Sequence, residues 1–498
     1  MLFNSYIFIF VFLPVVLAVY CFVRRYPERT WTIAWLVLAS FVYYAWWKPQ
    51  FLLLLLASIM VNAGFGKVLC GGRLPRAASQ AVLATGILFN LGVLGYFKYA
   101  GFFVENLNNW FGADFSVPKI ILPIGISFIT FQKIAFLVDA HRGQVRDFSF
   151  PNFALFVSFF PQLIAGPIVH HAEVMPQFAN KPSGENRLDD FAVGLSIFCV
   201  GLFKKVVIAD ALAVHANAGF DVLKAGQTLD FASAWIAVLA FSFQLYYDFS
   251  GYSDMAVGLA RLFGIHFPAN FHSPYKAAGI IEFWRRWHIT LSRFLRDYLY
   301  IPLGGNRHGA LRRYLNLTVV MLLGGFWHGA NWTFLVWGAV HGGMLAINHA
   351  WSNLRISNWV FLSSGPARAA FVILTFLAVT LAWVPFRAES IGDAGRMLAT
   401  LFPCGSNDPS ALASFHPFAR LRPAIHLLLG VGVATFLLPN TYQIFAKFNP
   451  VLNMSATQLH HRASLSRLDW KAALVLSGMF VFSVLQLSRV SPFLYFQF

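Results

Sequence analysis

The sequence predicts an all-α, polytopic membrane protein, and three observations carry that prediction. Of 498 residues, 58% are hydrophobic and 11% are charged, whereas soluble domains carry about 25% charged residues. Apolar runs recur from end to end, each long enough to cross a hydrocarbon core roughly 30 Å thick. The net charge of +17, from 37 basic and 20 acidic residues, reads in such a chain as basic cytoplasmic loops and not as a nucleic-acid surface.

The elements follow in order. The N-terminus, MLFNSYIFIFVFLPVV, has neither a basic leader nor a small-residue cleavage site, so it is expected to be a retained first span. That span ends at Phe22-Val23, before the basic stretch RRYPER. The basic-loop bias puts this stretch in the cytoplasm and the N-terminus outside. Apolar segments at 31–47 and 50–66 precede a second basic loop with Lys67, Arg73 and Arg76. Further stretches lie near 80–103, 120–140, 150–169, 191–220, 231–263, 314–350, 367–386, 421–439 and 470–488. Within them ILPIGISF and FFPQLIAGPIV read as kinked or re-entrant helices, tolerated at depth only where protein or a wet cavity covers them. The expected count is about ten to thirteen crossings or partial crossings.

No long polar linker and no internal repeat appears, so residues 1–498 are expected to form a single membrane domain. Arg462, Arg467 and Lys471 precede the last segment and Arg489 alone follows it, which places the C-terminus outside. Cys21, Cys70, Cys199 and Cys404 are scattered, without CxxC or Cys/His ligand spacing. Neither a disulfide framework nor a metal site is expected.

Residues 276–313 depart from the apolar norm as a cytoplasmic-side amphipathic or re-entrant segment. Lys276, Arg285, Arg286, Arg293, Arg296, Arg307, Arg312 and Arg313 stand there against Glu282 and Asp297. Trp284, His288, Leu291, Leu295 and Tyr298 recur at helical spacing and predict one stripe. An interfacial helix on anionic headgroups explains the arginines. It leaves unexplained His288 at the centre of the apolar stripe. A stripe lining a cavity, with arginines at its mouth to dock a polyphosphate-bearing donor, explains both. Upstream, Asp248 and Asp254 lie in an apolar segment, where charge is costly, and are expected to pair with neighbouring arginines.

The stretch GGFWHGANW, residues 324–332, places another imidazole at membrane depth with no carboxylate nearby in sequence. Together FWRRWH at 283–288, RDYLYIPLGGNRHG at 296–309 and FWHGANWTFLVWGAVHG at 326–342 resemble the membrane-bound O-acyltransferase family. The resemblance is to its bacterial branch, which includes alginate O-acetyltransferase membrane subunits and teichoic-acid D-alanyl transfer proteins. It covers essentially the whole chain. It implies a ring of helices around a central catalytic funnel, with His328 of the WHG motif as main catalytic residue and His288 as second histidine. Trp284, Arg285, Arg286, Trp287, Trp327 and Asn331 are expected to line the donor cavity. An imidazole suits acyl transfer because, near pKa 6.5, it can take a hydroxyl proton and return one to the leaving thiolate. Gly324, Gly325 and Gly329 are expected to leave room for substrate. His341 lies 13 residues from His328; on one straight helix that is the opposite side, so it is expected to be structural.

The tail FLYFQF, residues 493–498, reads by composition as an interfacial aromatic belt. The resemblance implies a further role, with Tyr495 as an acyl relay to an exported partner. Its phenol is a poor nucleophile near pKa 10 and needs a nearby base. The expectation is an O-acyltransferase of the bacterial inner membrane. It would move an acyl group, most simply acetyl from acetyl-CoA as donor substrate, toward an exported polysaccharide. No cofactor is expected, and a separate hydrolase-like protein outside would complete transfer, since the chain has no GxSxG elbow. The alternatives are D-alanyl transfer from a carrier protein, or a transporter or flippase for a lipid-linked or anionic solute.

Overall fold

The structure, a computed structural model, describes residues 1–26, 28–116, 118, 120–145, 147–179, 187–354, 364–402, 421–488 and 494. Among these residues regular structure is helical, and the strand-like pairing reduces to an isolated bridge between Pro268 and Leu452. The expected all-α class is therefore observed. Among the described residues four helical stretches are long and apolar enough to cross a membrane: Gln50–Cys70, Arg76–Phe111, Leu188–Lys224 and Gly365–Arg387. Shorter apolar helices occupy Phe8–Val23, Arg422–Leu437 and Trp470–Gln486. Large side chains such as Leu53, Leu88 and Ile347 are exposed on their helices, as expected where the surrounding solvent is lipid.

The chain packs into two compact units. The first comprises Met1–Leu202, Tyr252–Ala269 and Phe445–Arg489. Its aromatic core includes Phe8, Phe12, Tyr43 and Phe160, with ring centroids 5.4–6.2 Å apart. Helix Gln50–Cys70 is joined to helix Arg76–Leu94 by a buried pair of amides, in which Asn90 donates to Asn62 at 2.6 Å and Asn62 donates back at 3.2 Å. Pairing satisfies groups that would otherwise be costly to bury. Arg261 is held by Asp190 at 2.9 Å and by the carbonyls of Phe448 and Asn449, which secures the C-terminal part of this unit. The FFPQL stretch is broken as expected. Helix Phe150–Ser158 ends at an extended Phe159, and a single turn, Phe160–Leu163, follows in the buried interior.

The second unit comprises Phe203–Gly251, Asn270–Ile444 and Val490–Phe498. Helix Phe231–Leu262 supplies residues to both units. The apolar run at 314–350, too long for one crossing, resolves into helices Gly309–His328 and Trp332–Ser352, joined by Gly329–Asn331. The expected single stripe through 284–298 is not one helix. Helix Ile280–Arg286 stops, Trp287 is extended, His288 adopts the left-handed conformation, and helix Ile289–Leu295 starts afresh before a π-turn at Arg296–Tyr300.

Candidate active site

The hairpin that carries His328 is built by close backbone approach. A Cβ added to Gly338 would lie 2.5 Å from the Met321 carbonyl oxygen, and one on Gly325 would collide with the Phe334 carbonyl. Small residues let helices in a membrane pack backbone to backbone. Gly329 is likewise filled on its open side by the Phe334 ring. The expectation that Gly325 and Gly329 leave room for substrate is thus corrected: their missing side chains are occupied by the partner helix. A Cβ on Gly324 would meet the Leu295 side chain at an ordinary contact distance of 3.5 Å. Asn331 caps the second helix, its Oδ1 accepting the Thr333 N–H at 3.0 Å while its amide donates to the Glu389 carbonyl at 2.9 Å. Its side chain is committed to that turn.

His328 is the last residue of helix Gly309–His328 and is buried. Its ring is boxed by Trp327, Trp337 and Phe386, with centroids at 4.7, 5.2 and 5.1 Å. All three rings meet it tilted or edge-on, which fixes the imidazole plane without stacking over it.

His288 reaches the same aromatic cluster from the broken segment. Its φ of +43° is rare for a residue with a side chain and is sustained only by surrounding structure. Asn270 supplies that structure. Its carbonyl accepts the Ile289 N–H at 2.9 Å, and its side-chain Oδ1 meets both His288 Nδ1 and the Thr290 hydroxyl at 3.0 Å. An amide oxygen only accepts, so the proton of a neutral His288 belongs on Nδ1 and Nε2 carries the lone pair. The ring also packs edge-on against Phe249 at 4.7 Å and lies 6.3 Å from Trp327. Trp327 therefore touches both imidazoles that the sequence singled out.

The remaining expected residues divide. Trp284 packs on Trp337 and on His341, at 5.9 and 5.2 Å. Trp287 is buried among Phe271, Phe283 and Trp383, a packing position. Arg286 is tied to Glu282 at 2.6 Å, with Arg368 also near that carboxylate, while Arg285 is exposed. His341 is not remote from His328. The turn at 329–331 folds the chain back, so Trp337 contacts both rings, at 4.8 Å and 5.2 Å. His341 is fully buried, and neither ring nitrogen has a hydrogen-bond partner among the described residues. Sequence reasoning missed Asn270, Trp337, Trp383 and Phe386. Asn270 stands in an aperiodic loop and gives no periodic signal.

Among the described residues Asp248 pairs with a lysine and not with an arginine. Its Oδ1 lies 2.7 Å from Lys205 Nζ, which is equally close to Asp210, and its Oδ2 accepts the backbone N–H of Leu494 at 3.1 Å. Lys205 and Asp248 are both 2% exposed. Asp254 is also buried. Tyr495 lies outside the described residues.

The site thus brings two buried imidazoles onto one tryptophan in an apolar helical membrane chain. Residues 129–382 match the model of the membrane-bound O-acyltransferase family, and the chain belongs to that family. It is 46% identical over 424 residues to a Helicobacter pylori peptidoglycan O-acetyltransferase, covering 80% of this chain and 79% of that one. It is 41% identical over 510 residues to the Pseudomonas putida protein named "Probable alginate O-acetylase", covering 100% of both. A Streptococcus thermophilus teichoic acid D-alanyltransferase matches more distantly, 28% identical over 240 residues and 46% of this chain. The chain is an O-acyltransferase, and the transporter alternative falls away.

Proposed function

We propose that this chain is the membrane component of a system that O-acetylates an exported bacterial polysaccharide or peptidoglycan, taking acetyl from acetyl-CoA on the cytoplasmic side. The observation that carries the reading is the placement of His328 and His288 on Trp327, in a chain so similar to proteins named as O-acetylases. In the proposed step His328 takes the proton of an attacking hydroxyl as its oxygen bonds to the thioester carbonyl carbon. The C–S bond then breaks and the proton passes to the departing thiolate. Exposed Arg285 is the better candidate of the two neighbouring arginines for the donor's phosphates, since Arg286 already holds Glu282.

Tyr495 is the proposed acyl relay, passing the group to a hydrolase-like protein outside. Its sequence neighbour Leu494 donates its backbone N–H to Asp248, in the same unit as the imidazoles, which supports the relay reading. An aryl ester has a better leaving group than an alkyl ester and so keeps transfer potential. The inner membrane and outward-facing termini remain part of this reading.

The test is mass spectrometry of the C-terminal peptide after incubating purified protein with isotopically labelled acetyl-CoA, beside His328→Ala. Label on Tyr495 in the native chain alone supports donor, base and relay together. CoA release that depends on His328, without label on the tail, removes the relay. If both label and CoA release are absent, acetyl-CoA is excluded as the donor to the isolated chain.

A further inference from the structure

The first unit contains a cluster that the acyl-transfer reading does not use: Asp139, His170 and His171. Asp139 belongs to the last turn of helix Ile126–His141, and the two histidines stand at the start of helix His171–Ala179. From these residues we infer a binding site for a divalent first-row metal ion, with zinc as the best-fitting occupant.

The geometry supports this in three ways. First, the donor atoms converge. Asp139 Oδ2 lies 3.4 Å from His170 Nδ1 and 3.3 Å from His171 Nδ1, and one ligand atom from each residue lies within 4.8 Å of the other two. Zinc bonds of about 2.0–2.2 Å to nitrogen and oxygen at tetrahedral angles put neighbouring ligand atoms about 3.3–3.5 Å apart.

Second, the His171 contact is not a hydrogen bond. Neither of its ring nitrogens has a hydrogen-bond partner among the described residues, despite the 3.3 Å approach to Asp139. A nitrogen and an oxygen at this distance match the spacing of two ligands on one zinc ion. Third, the site is buried. The side chains of Asp139 and His171 are 1% and 8% exposed, and the Phe136 ring meets His171 edge-on at 5.8 Å. A cation bound between them would offset the cost of burying this carboxylate and this imidazole.

The supporting shell is also in place. Asp139 Oδ1 lies 3.8 Å from the Arg142 guanidinium, while Oδ2 faces the two imidazoles. The Glu173 carboxylate accepts the His170 backbone N–H at 3.2 Å and a hydrogen bond from Asn453, which orients the histidine pair. Such outer contacts tune metal affinity about 10- to 100-fold. Two nitrogens and one carboxylate oxygen leave a fourth tetrahedral position for water. His170 is the most exposed of the three at 23%, so ion and water would reach the site past it. The ion would clasp the end of helix Ile126–His141 to the start of helix His171–Ala179.

The experiment uses the full chain in detergent, stripped with a chelator, dialysed, and titrated with zinc chloride against a chromophoric chelator. One equivalent is expected per native chain. Asp139→Asn and His171→Gln are each expected to weaken binding at least about tenfold, whereas His308→Ala, a change at an exposed histidine, leaves it unaltered. Cobalt chloride added to the native protein should give the intense visible absorption of a four-coordinate site. This arm does not depend on a variant folding. Absence of stoichiometric uptake, uptake indifferent to both variants, or the weak spectrum of octahedral cobalt would each overturn the proposal and leave a histidine–carboxylate ion pair only.

Discussion

At the scale of single residues, the site rests on two imidazoles held by different means. His328 is boxed by aromatic rings, and His288 is held by a hydrogen bond and an unusual backbone angle. Loss of the base in His328→Ala should lower acyl transfer about 10²–10⁴-fold while the elution profile in detergent stays native. A variant that keeps full activity would exclude His328 from proton transfer. Asn270→Leu removes the acceptor that selects the His288 tautomer and supports its φ. The expected outcome is a fall in kcat of about tenfold or more with a smaller change in KM. A change confined to KM would instead make Asn270 a binding residue.

At the scale of elements, the hairpin of helices Gly309–His328 and Trp332–Ser352 is the feature to perturb. Gly338→Val pushes two methyl groups against the Met321 carbonyl. Overpacking of this kind costs about 1–3 kcal/mol, so thermal unfolding in detergent should move down by several degrees and activity should fall with it. Asn331→Ala removes the N-cap bond to Thr333, worth about 1 kcal/mol. It also frees the Glu389 carbonyl. If the thermal midpoint were unchanged, the cap would not be holding the turn that follows His328.

At the scale of the whole molecule, buried charge separates what the sequence makes legible from what it hides. Membrane class, helical content and the two catalytic candidates are legible because composition and short motifs carry them. The pairing of Asp248 is not, because Lys205 is 43 residues away and only folding brings them within 2.7 Å. The break at His288 is equally invisible, since the apolar periodicity runs straight through it and the cause is Asn270, in a loop upstream. The caging of His341 with His328 depends on a turn of three residues that a straight-helix reading ignores. Lys205→Met would leave the buried Asp248 and the partly buried Asp210 without their ammonium, at a cost of about 3–5 kcal/mol. Adding Asp248→Leu should recover part of that loss, and a double-mutant cycle of unfolding midpoints measures the coupling.

The short turn after His328 has a consequence for how the enzyme is made. Closing a connection of three residues costs little chain entropy, and contacts close in sequence form early. The His328–Trp337–His341 arrangement can therefore assemble as soon as residues 309–352 have been synthesised. Trp383 and Phe386, which complete the box, come from helix Gly365–Arg387 and arrive later. Biogenesis thus ends, at this site, with the docking of one apolar helix onto a preformed hairpin. A nascent chain stalled before that helix would already hold its imidazoles but not the wall that shields them.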